Sequence, residues 1–183
     1  MLTKDQLRTK HTKLRKKKYF EVDKKFFNPL NNFIKKNTKH LKYLSIYYPS
    51  NYEVNILKFF ETKKIKNLKV LLPTVFKGNK MKFYLWNFLD PLSVNRYGML
   101  EPIKTHQDYI PSIILVPLLS FDKKKNRLGY GKGYYDRYLN KYLKKNKNII
   151  TIGVAFSFQE YDKVPFSSYD VKLNYILTEK GLS

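Results

Sequence analysis

The run IPSIILVPLLSF, residues 110–121, is apolar at nearly every position. A strand with one wet face alternates apolar and polar residues, whereas a strand covered on both faces reads as a continuous apolar run. This segment therefore belongs inside a sheet with other layers on both sides. After it come a polar stretch, DKKKNR (122–127), three glycines at alternate positions in GYGKG (129–133), and a tyrosine-rich segment that predicts a helix over about 133–146. The same alternation recurs elsewhere. LKYLSIYYP (41–49) reads as a strand ended by Pro49, and EVNILKFFETKKI (53–65) has helical spacing at Val54, Leu57, Phe60 and Ile65. LKVLLPTV (68–75), MKFYLW (81–86), NIITIGVAF (148–156) and LNYIL (173–177) read as further strands, and NRYGMLEP (95–102) as a loop punctuated by Gly98 and Pro102. Residues 3–38 form one or two Lys-rich helices with apolar positions at Leu7, Leu14, Phe20, Phe26, Phe27, Leu30 and Ile34, broken or started near Pro29. With no repeat and no linker-like segment, the pattern predicts one domain over 1–183. Its fold class is α/β, a three-layer sandwich with a mostly parallel central sheet flanked by helices and the N-terminal helices packed on it.

Composition removes several alternatives. Hydrophobic residues make up 43% of the chain, too many for a disordered one, and no apolar run reaches the roughly 20 residues of a membrane span. With no cysteine there is neither a disulfide framework nor Cys-ligated zinc, and His11, His40 and His106 have no metal-ligand spacing. The start, MLTKDQLRTK, lacks the apolar core of a secretory signal, so a cytoplasmic location is expected. The formal charge of +23 invites a nucleic-acid reading, but only five of the 37 basic residues are arginines. Base readout relies on the bidentate arginine fork. Lys, Asn, Ile, Tyr and Phe together reflect A- and T-rich codons, so a solvated basic surface is expected, with no specific nucleic-acid partner.

The order strand, polar turn, Gly-x-Gly-x-Gly, helix is the layout of a phosphate-binding loop. Glycines allow positive φ and close approach of a ligand, and the following helix presents free N–H groups to an anion. Arg127 and Lys132 add positive charge. The spacing matches neither G-x-G-x-x-G nor the P-loop, so spacing alone leaves a simple tight turn equally open.

A longer comparison carries more. LLSFDKKKNRLGYGKGYYDRYL resembles the signature of the 5-formyltetrahydrofolate cyclo-ligase (5,10-methenyltetrahydrofolate synthetase) family: apolar strand, G/S-F-D, polar insert, R-L-G-x-G-x-G-Y-Y-D, helix. KDQLR (4–8), followed by Arg15, is similar to its N-terminal motif, and YYPSNYEV (47–54) to its folate-binding segment. RYGMLEP (96–102) is similar to a third element. SSYDVKLNYIL (167–177) is similar to its ending, with Asn174 replacing an acid. Because Lys4 already begins the first motif, no cleaved presequence is expected.

The resemblance implies an enzyme that uses ATP and Mg²⁺ to convert 5-formyltetrahydrofolate to 5,10-methenyltetrahydrofolate, releasing ADP and phosphate. Phosphorylation of the formyl oxygen would create a leaving group that N10 displaces. By the same resemblance ATP is held by Lys4, Asp5, Gln6, Leu7 and Arg8, and by Arg127, Leu128, Gly129, Tyr130, Gly131, Lys132, Gly133, Tyr134 and Tyr135. Arg127 and Lys132 are the catalytic cations, and Asp136 and Asp170 the magnesium carboxylates. Glu53 is the folate carboxylate, Tyr48 is a second substrate position upstream of it, and Met81, Phe83 and Tyr97 stand around the pterin. The partners are small molecules, with no membrane, and the protein is expected to be a monomer. Tyr138 and Tyr142 are expected to pack the helix. Two other classes stay in view: a basic nucleic-acid-binding module, which would need neither Glu53 nor the glycine loop, and an unrelated kinase on a similar sheet, which the missing Walker pattern disfavours.

Overall fold

In the computed structural model, which describes residues 2–37, 41–62, 68–103, 107–145 and 148–183, the chain begins with α1 (Lys4–Lys18), α2 (Asn28–Lys36) and β1 (Tyr43–Ser45). Then come β2 (Lys69–Phe76), β3 (Lys80–Leu85), β4 (Leu92–Val94), β5 (Leu100–Pro102) and β6 (Ile113–Pro117). It continues through β7 (Ser120–Phe121), β8 (Arg127–Leu128), α3 (Tyr134–Leu143), β9 (Ile150–Val154), β10 (Tyr175–Thr178) and β11 (Gly181–Leu182). Seven strands form one sheet in the order β11-β10-β9-β6-β1-β2-β3, while β4–β5 and β7–β8 are separate hairpins. The five inner strands run parallel, and β3 and β11 close the two edges antiparallel.

The apolar run explains itself in β6. Ile113 and Leu115 point into one core and Ile114 and Val116 into the other, so neither face meets water. The first core is covered by α2, by a 3-10 turn at Lys24–Phe27 and by a 3-10 helix at Ile56–Thr62, through Phe26, Phe27, Leu30, Ile34, Ile56 and Phe59. The second is covered by α3, whose Tyr138 meets the Phe83 ring edge-on at 4.9 Å and stacks on Tyr142 at 4.4 Å. Both tyrosines therefore pack the helix, as expected.

Three segments differ from the sequence-based expectation. The expected helix over 53–65 is a 3-10 helix at Ile56–Thr62, and Ile65 lies outside the described residues, as do His40, His106 and residue 146. The 41–49 strand keeps sheet pairing only at Tyr43–Ser45, because the chain turns away: Tyr47 donates its hydroxyl to the Val54 carbonyl, and Asn51 and Tyr52 take left-handed φ of 47° and 62°. The 95–102 loop ends in β5, pinned by the Asn95 side chain, which accepts from the Tyr97 and Met99 N–H groups. Pro29 stands in the first turn of α2, where its missing N–H costs nothing.

The polar stretch after β7 is an ordered turn. Buried Asp122 accepts from the N–H groups of Lys124 (3.0 Å), Asn126 (3.0 Å) and Val164 (3.1 Å) and from Asn126 Nδ2 (2.9 Å). This carboxylate folds 122–126 back on itself and sets the direction in which the glycine segment leaves β8. Replacing it strands several buried donors, each worth about 1–3 kcal/mol. Asp122→Ala should lose at least about 3 kcal/mol, lowering the melting temperature by roughly 6–12 °C. Calorimetry on the purified variant checks this, and a shift under about 2 °C would mean that the turn holds without the carboxylate.

Candidate active site

At the carboxyl ends of β1, β2 and β6, where ligands gather in parallel sheets, lies a cavity of about 540 Å³. Its walls come from four parts of the chain: the first turns of α1 (Lys4, Arg8), the segment after β1 (Tyr47–Glu53), the β4–β5 hairpin (Asn95, Tyr97, Glu101) and the glycine loop. A fifth part, the loop leading from β9 into β10, adds Ser167, Tyr169 and Asp170.

The inner face of α1 is unusual for a docked helix. Residues 4, 8, 11 and 15 share one face, and there they are Lys4, Arg8, His11 and Arg15. Lys4 pairs with Asp170 at 2.5 Å. Arg8 donates through Nε to the Gly129 carbonyl (3.0 Å) and pairs with Asp5 at 2.5 Å. Leu7, beside this stripe, packs with Leu119, Leu128 and Val164. His11 is buried edge-on against Tyr161, and neither ring nitrogen has a hydrogen-bond partner among the described residues. Burial, helped by Lys10, lowers its pKa below 6.5.

Two glycines of the loop are required by geometry. Gly131 has φ of 93°, and a Cβ there would lie 3.3 Å from Arg8 Cζ. Gly133 caps α3 in a left-handed conformation with φ of 65°. The loop collects arginines. Arg8 reaches the Gly129 carbonyl, Arg15 the Tyr130 hydroxyl (2.6 Å) and Arg137 the Lys132 carbonyl, while Arg127 sits at the loop's base and Arg96 lies 4.8 Å from the Tyr97 ring centre. All five arginines of the chain thus touch or belong to the glycine segment or lie over neighbouring Tyr97, and of them Arg8 and Arg127 line the cavity. Lys132 Nζ makes no ion pair among the described residues and lies 5.5 Å from the Tyr97 ring centre.

Glu53 forms the opposite wall. Only 8% exposed, it accepts from Ser50 N–H (2.9 Å) on Oε2 and from the Tyr130 hydroxyl on Oε1. Burial pushes its carboxyl up, against the opposing pull of Tyr130, Arg15 and Ser50. The same desolvation raises Tyr130 well above its ordinary value.

The two carboxylates expected for magnesium both line the cavity. Asp136 Oδ1 pairs with Arg127 (2.6 Å) and accepts from Val171 N–H (3.1 Å). Asp170 uses Oδ2 for Lys4 and for Ser167 N–H (2.6 Å) and hydroxyl (2.8 Å). Burial pushes Asp170 up, but these bonds together hold it below the usual carboxylate range. Among the described contacts, Asp136 Oδ2 and Asp170 Oδ1 are not engaged. No cluster of three potential ligand residues occurs among the described residues. A pair of carboxylates, each keeping an oxygen, suits a cation completed by phosphate oxygens and water, which is how Mg²⁺ is usually held.

The 5-formyltetrahydrofolate cyclo-ligase family profile matches residues 2–179. The chain belongs to that family. Among curated relatives, a 5-formyltetrahydrofolate cyclo-ligase of Haemophilus influenzae is 40% identical over 91 residues, 48% of each protein. One of Mycoplasma genitalium is 34% identical over 108 residues, 51% of this chain and 63% of the relative. The aligned stretch thus spans about half to two-thirds of these relatives' length. Two solved structures cover more. The 5,10-methenyltetrahydrofolate synthetase of Aquifex aeolicus has TM-score 0.75 and 29% identity, over 99% of this chain and 92% of that one. The synthetase of Mycoplasma pneumoniae has TM-score 0.72 and 26% identity, over 96% and 98%. The mostly parallel α/β sheet is the fold of these family structures.

Against that frame of cyclo-ligase motifs, the structure gathers Lys4, Arg8, Tyr48, Glu53, Met81, Tyr97, Asp136, Asp170 and residues 127–135 around one cavity. It corrects others. Phe83 is fully buried against Tyr138 and faces α3, not the cavity, because Met81 and Phe83 share the inner face of β3 and only Met81 stands near the cavity. In α1, Asp5 is exposed and pairs with Arg8, Gln6 closes the capping box with Thr3, and Leu7 is core, so only Lys4 and Arg8 of that motif line the cavity. Arg127 is buried with both terminal nitrogens engaged, to Asp136 and to the Val171 carbonyl (2.6 Å). Glu101 was missed. It lines the cavity while accepting from Val75 N–H (2.8 Å) and Asn95 (2.7 Å), and its place in the RYGMLEP motif was the available signal. Asn174, which replaces the family acid, accepts on Oδ1 from Thr151 N–H and hydroxyl, both at 2.8 Å. The position needs an acceptor to tie β9 to β10, and an amide oxygen supplies one.

Buried His11 gives a pH dependence. The unfolded chain binds its proton near pH 6.5, and the folded chain only at lower pH, so this contribution is complete above about 6.5 and drains as pH falls through the folded value. His11→Leu removes the titration. The melting-temperature difference between variant and wild type should move by a few degrees in the variant's favour between about pH 7.5 and 5.5. A difference that stays flat across that range means His11 is not a buried neutral group.

Proposed function

We propose that this chain closes 5-formyltetrahydrofolate to 5,10-methenyltetrahydrofolate at the expense of ATP, with ADP and phosphate as the other products, acting as a monomer on two small molecules. One observation supports this most: the cation-lined glycine loop and the buried Glu53 face the same cavity and are joined by a hydrogen bond. A phosphoryl donor and a reduced folate would meet there.

The formyl oxygen is a poor leaving group. Transfer of the γ-phosphoryl to it breaks the bond to ADP and leaves an iminium phosphate, whose carbon N10 attacks. Phosphate departs with the oxygen, N10 loses its proton, and the ring closes. Little covalent chemistry falls to the protein, so positioning and charge neutralisation carry the rate. Loop N–H groups and the α3 amino end receive phosphate oxygens. Lys132, with no competing ion pair, neutralises the transferring group, while Arg127 acts indirectly by holding Asp136. Asp136 and Asp170 would hold Mg²⁺, which when bound would supply positive charge to offset that of the phosphate oxygens. Glu53 accepts from folate N–H groups, with Tyr48, Met81 and Tyr97 beside the ring.

With ATP, Mg²⁺ and 5-formyltetrahydrofolate, the purified protein should form methenyltetrahydrofolate, followed by its absorbance, and ADP in equal amounts. A folded sample that yields neither product refutes the reading. Lys132→Ala should lower kcat by about 10²-fold, the scale for one preorganised charge stabiliser, with a smaller effect on folate KM. Glu53→Gln turns one acceptor into a donor and should weaken folate affinity by about one to two orders of magnitude, leaving ATP affinity within about threefold. Titrating each ligand separately distinguishes these effects.

A further inference from the structure

Arg15 is a buried cation that packing does not explain. It is 1% exposed and does not line the cavity. Nη1 donates to the Tyr130 hydroxyl at 2.6 Å and reaches the Leu118 carbonyl at 3.4 Å. Nε and Nη2 are buried with no hydrogen-bond partner among the described residues. A buried arginine hydrogen-bonded through one nitrogen carries a desolvation cost that so few bonds repay only in part. Retaining it there points to a function.

Its contact has a direction. An arginine only donates, so it occupies a lone pair of the Tyr130 hydroxyl and leaves that hydroxyl's single proton free for another acceptor. The acceptor is Glu53 Oε1. Tyr130 stands between Gly129, whose carbonyl takes Arg8, and Gly131, which packs against the same arginine. One side chain of the glycine loop is therefore held from both walls of the cavity.

We propose that Arg15 is a positioning residue: by donating to Tyr130 it commits the hydroxyl proton to Glu53, and so ties the glycine loop to the folate-facing carboxylate and makes the two ligands bind interdependently. This rests on the assignment above of the loop to the nucleotide and of Glu53 to the folate. The groups acting on Glu53 are the Ser50 N–H and hydroxyl, the tyrosines Tyr47, Tyr130 and Tyr135, and Arg15. Of these only Arg15 is charged at neutral pH, and it favours the ionised carboxylate against burial. Losing it should move the acid limb of folate binding to higher pH.

The test measures 5-formyltetrahydrofolate affinity with and without saturating ADP, across pH, for wild type, Arg15→Met, Arg15→Lys and Tyr130→Phe, together with melting temperatures. In the wild type, ADP should tighten folate binding at least about fivefold, the lower range of measured couplings between sites. That ratio should fall toward one in Arg15→Met and in Tyr130→Phe. Arg15→Met should shift the acid limb upward, and Arg15→Lys, which keeps the charge, should restore the limb. A ratio and acid limb unchanged in Arg15→Met, or a ratio unchanged in Tyr130→Phe, overturns the proposal. If Arg15→Met fails to fold, Tyr130→Phe decides. A wild type that binds both ligands with a ratio of one refutes this inference alone, whereas one that binds neither refutes the functional reading beneath it.

Discussion

Helix α1 is docked by charge. A surface helix ordinarily seats itself with an apolar stripe, but here the inner face carries Lys4, Arg8, His11 and Arg15, with Leu7 as its buried aliphatic residue. Each cation is matched to something specific: a carboxylate on the last loop, a glycine carbonyl, a tyrosine hydroxyl. The helix thus gains its seat by completing the cavity, and the cavity gains its floor from the helix. Much of the site depends on this mutual arrangement, because the glycine loop touches α1 at both Gly129 and Tyr130.

The composition takes on a different meaning in three dimensions. Lysine dominates the basic residues, yet the five arginines all contact or belong to the glycine segment or lie over the adjacent Tyr97. A lysine offers a flexible point charge, whereas arginine offers a rigid fork that can hold two acceptors at once. Arg127 uses that fork in full, spanning Asp136 and the Val171 carbonyl. In a chain whose composition favours lysine, arginine marks the positions where geometry as well as charge is needed.

How much of this was legible in the residues varies by physical cause. The double-sided burial of β6 was readable because an unbroken apolar run has one structural meaning at that length. The glycine loop and Glu53 were readable through motifs longer than any turn requires. Phe83, expected beside the pterin through the resemblance, shares a core with Met81 but packs against Tyr138 and does not line the cavity, a distinction that a motif match does not carry. The shortened β1 was not legible, since Tyr47 is apolar enough for a strand and leaves the sheet for the sake of one hydroxyl bond to Val54. The link from Arg15 through Tyr130 to Glu53 joins residues 77 and 115 positions apart, and no local pattern carries such information.

The Lys4–Asp170 pair joins residues 166 positions apart. During synthesis, α1 therefore waits for nearly the whole chain before this ion pair can form, and until then it is a strongly basic helix with little apolar surface beyond Leu7. Strands β1, β2 and β6 can meet earlier, since their pairing involves no residue beyond Pro117. Long-range closures of this kind come late and slow folding, so assembly should proceed from the sheet outward, with the ligand cavity as the final element to take shape.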